Sequence, residues 1–335
     1  MNVFADCVGH PDLYYAIYLL FSKRLGATLY SPCGSPEWEE KGIWTGLLFG
    51  QQGALSNDVY HAPMAEFGYD FTYRGITFDK FLEMDFDVLV LTCWENEPGF
   101  EVLSEKYKPS SKFIRHMANA GEEPKICTDI LSSTLDPFPE CPEANRIKFR
   151  PEHLEDYCLD RIVEEKIINS FSHRLPSYPD DLGSWLEFRE ILGDFTWKMY
   201  GQSCYDGALP PRDMPEAIKS SMFVWHTKGM AGCGYVLRQA LSSGKPCIVR
   251  KEYCFRYNAL GQEYLHDGVN CIDIDPKVRT TEEAIRLIRE WAEPDAYAER
   301  CQIVVDTFRK DIDFEREAAD IRIWLDKVKS PKEKG

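Results

Sequence analysis

The stretch His226–Pro246, "HTKGMAGCGYVLRQALSSGKP", sets Gly229, Ala231, Gly232 and Gly234 directly ahead of a helical pattern of apolar residues. A turn of small residues lets a ligand approach the main chain, while the free amides and dipole at a helix start favour an anion. The main chain at Gly232, Cys233 and Gly234 is therefore a candidate phosphate cradle, and Lys228 is the cation best placed to join it. Glycines also make plain structural turns, so this spacing alone leaves both readings open. Local charge strengthens the first: residues 211–260 hold eight Lys/Arg against three Asp/Glu, although the whole chain has 55 acidic and 39 basic residues and a formal charge of −16. Arg212, Lys219, Lys228, Arg238, Lys245, Arg250, Lys251 and Arg256 cannot all point into one site, and most of them read as solvated surface groups. Arg238 falls inside the helix, where a structural role is equally open.

The acidic balance opposes non-specific attraction to nucleic acid or anionic membrane. At 335 residues and 44% hydrophobic content the chain is long enough for two cores of roughly 150 residues each. Its longest apolar run, Tyr14–Phe21, falls well short of the roughly 20 residues of a membrane span and reads as a buried helix. The opening "MNVFADCVGHPD" lacks the basic start and apolar centre of a secretory signal. Twelve cysteines are scattered without C-x-x-C pairs, as expected of reduced thiols, and the two features together point to the cytoplasm.

Positioning such a loop requires strands and helices in alternation. "MNVFADCVG" reads as a strand and "PDLYYAIYLLFSKRLGA" as a helix, followed by strands at "FDVLVLTCW", "KFIRHMA" and "EEPKICTDI" with a helix at "GFEVLSEKYK". The proline-rich and polar stretch Ser133–Arg146 reads as a connection between domains. Beyond it, "KIINSFSH", "FTWKMYG", "MFVWHT", "PCIVR" and "NCIDID" read as strands, with helices at "DDLGSWLEFREIL", "MPEAIKSS" and the quoted stretch. Two amphipathic helices close the chain, "TEEAIRLIREW" with capping at or near Thr281 and Glu283, and "DFEREAADIRIWLDKVK". The expected class is α/β with mostly parallel sheets. The expected domains are 1–145, 146–310 and a closing helical segment 311–335.

The order of elements in "LPPRDMPEAIKSSMFVWHTKGMAGCGYVLRQALSSGKPCIV", followed by "YLHDGVNCIDID", resembles the donor-binding domain of GT-B glycosyltransferases. The resemblance covers residues 167–276 best, and Asp267, Gly268, Val269 and Asn270 match the family's later "DGVN"-like phrase. It implies two Rossmann-like domains facing a central cleft, an N-terminal acceptor domain and a C-terminal domain holding a nucleotide-diphosphate sugar. The closing segment resembles a last helix that in the family often crosses back to the first domain. Among family members the retaining group is most alike, yet its paired glutamates would fall at Ala231 and Gln239. The Gln239 amide is still able to bond a ribose hydroxyl. Ser172 and Arg174 in "NSFSHRLPS" stand where the family supplies diphosphate contacts, Arg174 with two charge-assisted bonds in reach. Tyr205 in "MYGQSCYDG" stands where a ring would stack on the nucleotide base, a role that competes with ordinary packing.

On the acceptor side, His10 follows the first strand, and a neutral imidazole there would take a proton from an acceptor hydroxyl. Glu95, Glu97 and His116 follow or end other strands and are alternative candidates. No DxD-like carboxylate pair demands a metal, so no obligatory cofactor is expected, and a UDP-sugar is the favoured donor. A saccharide or small molecule is the favoured acceptor, with a modified DNA base as another. Nucleotide-sugar epimerisation and non-catalytic nucleotide-sugar binding are the competing functions, and retention and inversion both stay open.

Overall fold

The computed structural model describes residues 1–6, 11–33, 36–43, 55–56, 59–65, 69–91, 102–103, 112–117, 129–132, 146–148, 154, 156–172, 174–227, 234–256 and 259–327. The chain divides into two compact units, Met1–His153 with Phe314–Gly335, and Leu154–Asp313.

The first unit is built on a nine-stranded sheet. Its strands are β1 (Asn2–Ala5), β2 (Thr28–Pro32), β3 (Leu55–Ser56), β4 (Val59–Pro63), β5 (Thr72–Ile76), β6 (Val88–Leu91), β7 (Lys112–Met117), β8 (Asp129–Ser132) and β9 (Arg146–Lys148), in the order β3-β4-β5-β2-β1-β6-β7-β8-β9. Seven of them run parallel from β5 to β9, and β3 and β4 fold back as an antiparallel edge. The run "VLVL" of β6 is buried throughout, as a strand covered on both faces must be. The helix Pro11–Tyr18 continues through a π-helical segment, Leu19–Arg24. It buries Tyr14, Ile17 and Phe21 in a core that also holds Phe4, Trp38, Phe81 and Phe86. The edge β3–β5 goes beyond the sequence expectation, because its strands are short and rich in polar residues and tyrosine. So does β9: the stretch 133–146, expected to link domains, leads into another strand of this sheet.

The closing helix Phe314–Asp326 belongs to this same unit and contributes Ala318, Ile321 and Trp324 to its core. Trp324 fastens it. The indole Nε1 donates to Asp129 Oδ2, the Trp324 carbonyl accepts from Lys112 Nζ, and the Lys112 ammonium lies 4.4 Å from the indole centroid.

The second unit has a five-stranded, wholly parallel sheet of β10 (Ile167–Ser170), β11 (Thr196–Met199), β12 (Phe223–His226), β13 (Cys247–Val249) and β14 (Cys271–Asp273). The order is β11-β10-β12-β13-β14. Its core centres on Trp185 and Phe188 of the helix Pro179–Ile191, packed edge-on against Trp225 of β12. The helix Thr281–Trp291 begins with a capping box whose cap is Thr280, one residue before the expected Thr281: Thr280 Oγ1 accepts from Glu283 N, and Glu283 answers at Thr280 N. Three residues between hydroxyl and carboxylate is the spacing such a box needs. None of the seven described cysteines is held in a disulfide. Among the described residues no helix is long and apolar enough to cross a membrane.

Candidate functional site

Strand order locates the site in the second unit. From β10 the chain passes to β11 on one side, then crosses to β12 on the other, so the order reverses between β10 and β12. Connections leaving the carboxyl ends of two such strands diverge to opposite faces of the sheet and leave a crevice between them, where ligands bind in open α/β folds. Ser172 follows β10 and Thr227 follows β12, and Ser172 Oγ donates to the Thr227 carbonyl at 3.1 Å across that crevice. Both residues are buried.

Two residues around the crevice have strained backbones. Arg174 (φ 58°) and Ser203 (φ 62°) are the only non-glycine residues with left-handed φ among those described, a conformation that costs roughly 1 kcal/mol or more and that accumulates at functional sites. Arg174 is exposed, with Nε and Nη2 at 3.2 and 3.1 Å from Gln202 Oε1 and its amide bonded to the Gln202 carbonyl. The loops after β10 and β11 are thereby held together. The second loop is closed on itself by Gly201 N to Gly207 O, and Asp206 Oδ2 accepts from Met199 N at 2.6 Å. From this rigid turn Tyr205 projects into solvent, 62% exposed, so its ring is not a packing element.

Behind the crevice lies an ionic cluster that the sequence did not announce. Asp181, in the first turn of the helix Pro179–Ile191, is buried and accepts from Arg250 Nη1 at 3.2 Å, while Arg250 Nη2 donates to Ser184 Oγ. Burial raises the Asp181 carboxyl pKa, and the Arg250 charge opposes that rise. Arg250 is therefore no solvated surface group, and neither are Arg238 and Lys245, which are 0% and 1% exposed. Arg238 sits on the inward face of its helix, 5.9 Å from the rings of both Tyr235 and Tyr264.

Of the expected donor residues, Ser172 meets Thr227 at the crevice, and Arg174, two residues on, is tied to Gln202 in the loop after β11. Gly234 caps the helix Tyr235–Ser242 with φ 67°, and a Cβ there would come within 3.1 Å of Leu237 Cδ1 and 3.3 Å of His226 Nε2. Gly234→Ala should therefore cost about 1–2 kcal/mol in a urea unfolding series, from the left-handed backbone and the tight contact. A loss below ~0.3 kcal/mol would show that the turn tolerates a side chain. Gln239 lies buried within that helix. Lys228, Gly232 and Cys233 lie outside the described residues, as do His10, Glu95 and Glu97.

The first unit repeats the topological device, its strand order reversing between β1 and β6. β1 ends at Ala5 and β6 at Leu91, so the segments bearing His10 and Glu95–Glu97 are those that follow the two strands at that reversal. Asp6 is buried directly after β1, and His116 is buried near the end of β7, the next strand over. Among the described residues no group of three His, Cys, Asp or Glu side chains gathers closely enough to hold a metal ion.

No protein-family model and no curated protein matches the sequence. Solved structures do match the fold. HepE from Anabaena, crystallised with UDP and glucose, superposes with a TM-score of 0.61 at 11% identity over 97% of this chain and 99% of that one. An alpha-glucosyltransferase in complex with UDP gives 0.61 at 10% identity over 98% and 99% of the two chains. The pneumococcal O-GlcNAc transferase GtfA, with UDP and GlcNAc, gives 0.58 at 9% identity over 99% of each. The fold of this chain is the GT-B architecture of those glycosyltransferases.

Proposed function

We propose that the protein is a glycosyltransferase that moves a sugar from a nucleotide-diphosphate-sugar donor to a hydroxyl-bearing acceptor. The observation that carries this reading is the crevice at the strand-order reversal of the second unit, edged by Ser172 and Thr227. The second unit is the donor unit and the first the acceptor unit. UDP-sugar is the donor of choice, because the similar structures hold UDP.

In this reading Arg174 and Lys228, with the amides of Gly232, Cys233 and Gly234, take up charge as the diphosphate leaves. Ser172 spends its proton on Thr227, so its hydroxyl sets the loop while the neighbouring groups meet phosphate. Tyr205 stacks on the base from its exposed turn, and Gln239 serves the ribose side. On the acceptor unit His10 receives the hydroxyl proton, with Glu95, Glu97 and His116 as the alternative acceptor-side or base residues. No metal is needed for the leaving group on this account. A cytoplasmic enzyme is in keeping with twelve cysteines scattered without C-x-x-C pairs.

A saccharide or small molecule is the acceptor that the net charge of −16 favours over DNA phosphates. One similar alpha-glucosyltransferase is bound to a 13-mer DNA containing an HMU base, so modified DNA belongs on the test panel. The experiment is a mass-spectrometric screen of nucleotide sugars, then transfer assays with the donor that binds. Product formed only when acceptor is present supports transfer, an epimer formed from donor alone would replace it with epimerisation, and binding without any product would make the protein a sensor. Arg174→Ala and Lys228→Ala should each weaken UDP binding about 10-fold, the worth of one charge-assisted bond. Unchanged binding in both would remove the crevice from the account.

A further inference from the structure

The loops after β10 and β11 are joined by two sets of contacts, and the first of them already holds the loops together. Tyr200 N donates to the Ser170 carbonyl at 2.7 Å, Arg174 N donates to the Gln202 carbonyl at 3.2 Å, and Phe171 stacks on Tyr200 with ring centroids 5.5 Å apart. The Cys204 thiol donates to the Ser172 carbonyl at 3.5 Å. None of these contacts uses the Gln202 side chain. That side chain makes the second set: Gln202 Oε1 accepts from both Nε and Nη2 of Arg174, at 3.2 and 3.1 Å. Two donors held along one edge fix the plane of a guanidinium and leave its Nη1 edge for another acceptor. Arg174 is also strained, with a left-handed backbone at φ 58° and ψ 29°, a geometry that arginine does not favour. Its partner, moreover, is neutral. Arg250, Arg279 and Arg286 of the same unit each pair with a carboxylate, whereas among the described residues no carboxylate pairs with Arg174.

We propose that Gln202 is a positioning residue for the donor diphosphate: its amide fixes Arg174 in one orientation and, being neutral, leaves the guanidinium charge for phosphate. This rests on the donor role given to the second unit above. Arg174 lies two residues past Ser172, whose hydroxyl reaches Thr227 across the crevice, so the guanidinium is held at the edge of that crevice. A carboxylate at position 202 would grip Arg174 more firmly, through charge-assisted bonds. It would also offset the charge that an incoming phosphate is to meet. Joining the loops and keeping the charge therefore predict opposite results for Gln202→Glu, a change that a residue serving only the fold would tolerate. The turn that carries Tyr205 is closed separately, by Gly201 N to Gly207 O and the Asp206–Met199 bond, so recognition of the nucleoside should be unaffected.

The test measures affinities of the full-length protein for UDP and for uridine by NMR and calorimetric titration, with circular dichroism confirming the fold. The proteins are wild type, Gln202→Glu, Gln202→Ala, Arg174→Ala and the double variant Arg174→Ala with Gln202→Glu. In Gln202→Glu the UDP affinity is expected to fall at least ~5-fold, most of the worth of the charged bond that Arg174 makes, and the uridine affinity to change less than ~2-fold. Gln202→Ala frees the guanidinium without neutralising it and should lower UDP affinity by a smaller factor, about 2–3-fold; it decides the matter if Gln202→Glu does not fold. With Arg174 already replaced, adding Gln202→Glu should cost less than ~2-fold, because the effect passes through the arginine. UDP affinity kept or raised in Gln202→Glu, equal losses for UDP and uridine, or a loss of the same size without Arg174 would each overturn the positioning role while the donor reading stands. Wild type that binds no UDP would defeat the donor reading, and the role of Gln202 with it.

Discussion

Trp324→Ala is expected to lower the stability of the first unit by about 3–5 kcal/mol, the cost of emptying a fully buried aromatic site. The indole is 2% exposed and sits in the same core as Ile321 and Leu131. Its loss opens a cavity, strips Asp129 of the indole donor and removes the ring beneath the Lys112 ammonium. Lys112 keeps its bond to the main-chain carbonyl only if the helix Phe314–Asp326 stays docked. Amide exchange within that helix should then accelerate out of proportion to exchange in β1 and β6. A loss under ~1 kcal/mol, with exchange unchanged, would mean that the helix is held by something other than this tryptophan. Arg24 adds only exposed contacts, to Glu315 at 3.5 Å and across the Phe314 ring at 5.6 Å, which are worth little singly.

Lys245→Met is expected to stabilise the second unit by about 3 kcal/mol at pH 7. Lys245 is 1% exposed, its Nζ has no hydrogen-bond partner, and the nearest aromatic face, Tyr297, is 6.0 Å away. Burial lowers its pKa from 10.5 to about 8; Cys301 and Asp160 work against the shift, while Arg161 and Lys219 add to it. The unfolded chain therefore binds more protons than the folded one between pH 8 and 10.5, and stability rises with pH across that window. Below pH 8 the full cost of the buried charge is present, and methionine of similar shape removes it. The stability difference between variant and wild type should shrink steadily from pH 8 to 10.5. A difference independent of pH, or a less stable methionine variant, would show that the ammonium is accommodated in the folded state.

Much of the second unit was legible because most of its strands are short apolar runs bounded by turn residues. "MFVWHT" contains β12 and "NCIDID" contains β14, each strand shorter than the run that announced it. The longest helix, Pro294–Asp311, escaped the sequence reading although its signal is present: proline opens it, and Tyr297, Cys301, Val304, Val305 and Phe308 recur at helical spacing on its buried face. The Asp181–Arg250 pair had no such signal. Its members are 69 residues apart, and only the strand order brings the end of β13 to the first turn of that helix. Sequence reading took most of the local Lys/Arg for solvated groups because type alone says so, and Arg250 and Lys245 are exceptions. One is paired and the other buried because β13 lies inside the sheet, with a neighbour on each side. The glycine loop was visible as small residues before a helical run, and Gly234 shows why: its backbone is left-handed and its α-carbon faces His226.

Hydrogen–deuterium exchange of the full-length protein with and without saturating UDP tests most directly whether the strand ends of the second unit hold a nucleotide diphosphate. Protection is expected in peptides spanning 171–178, 200–207 and 226–236, with no matching change around the helix Thr281–Trp291. Uniform exchange with UDP present, or protection confined to other segments, would contradict the account.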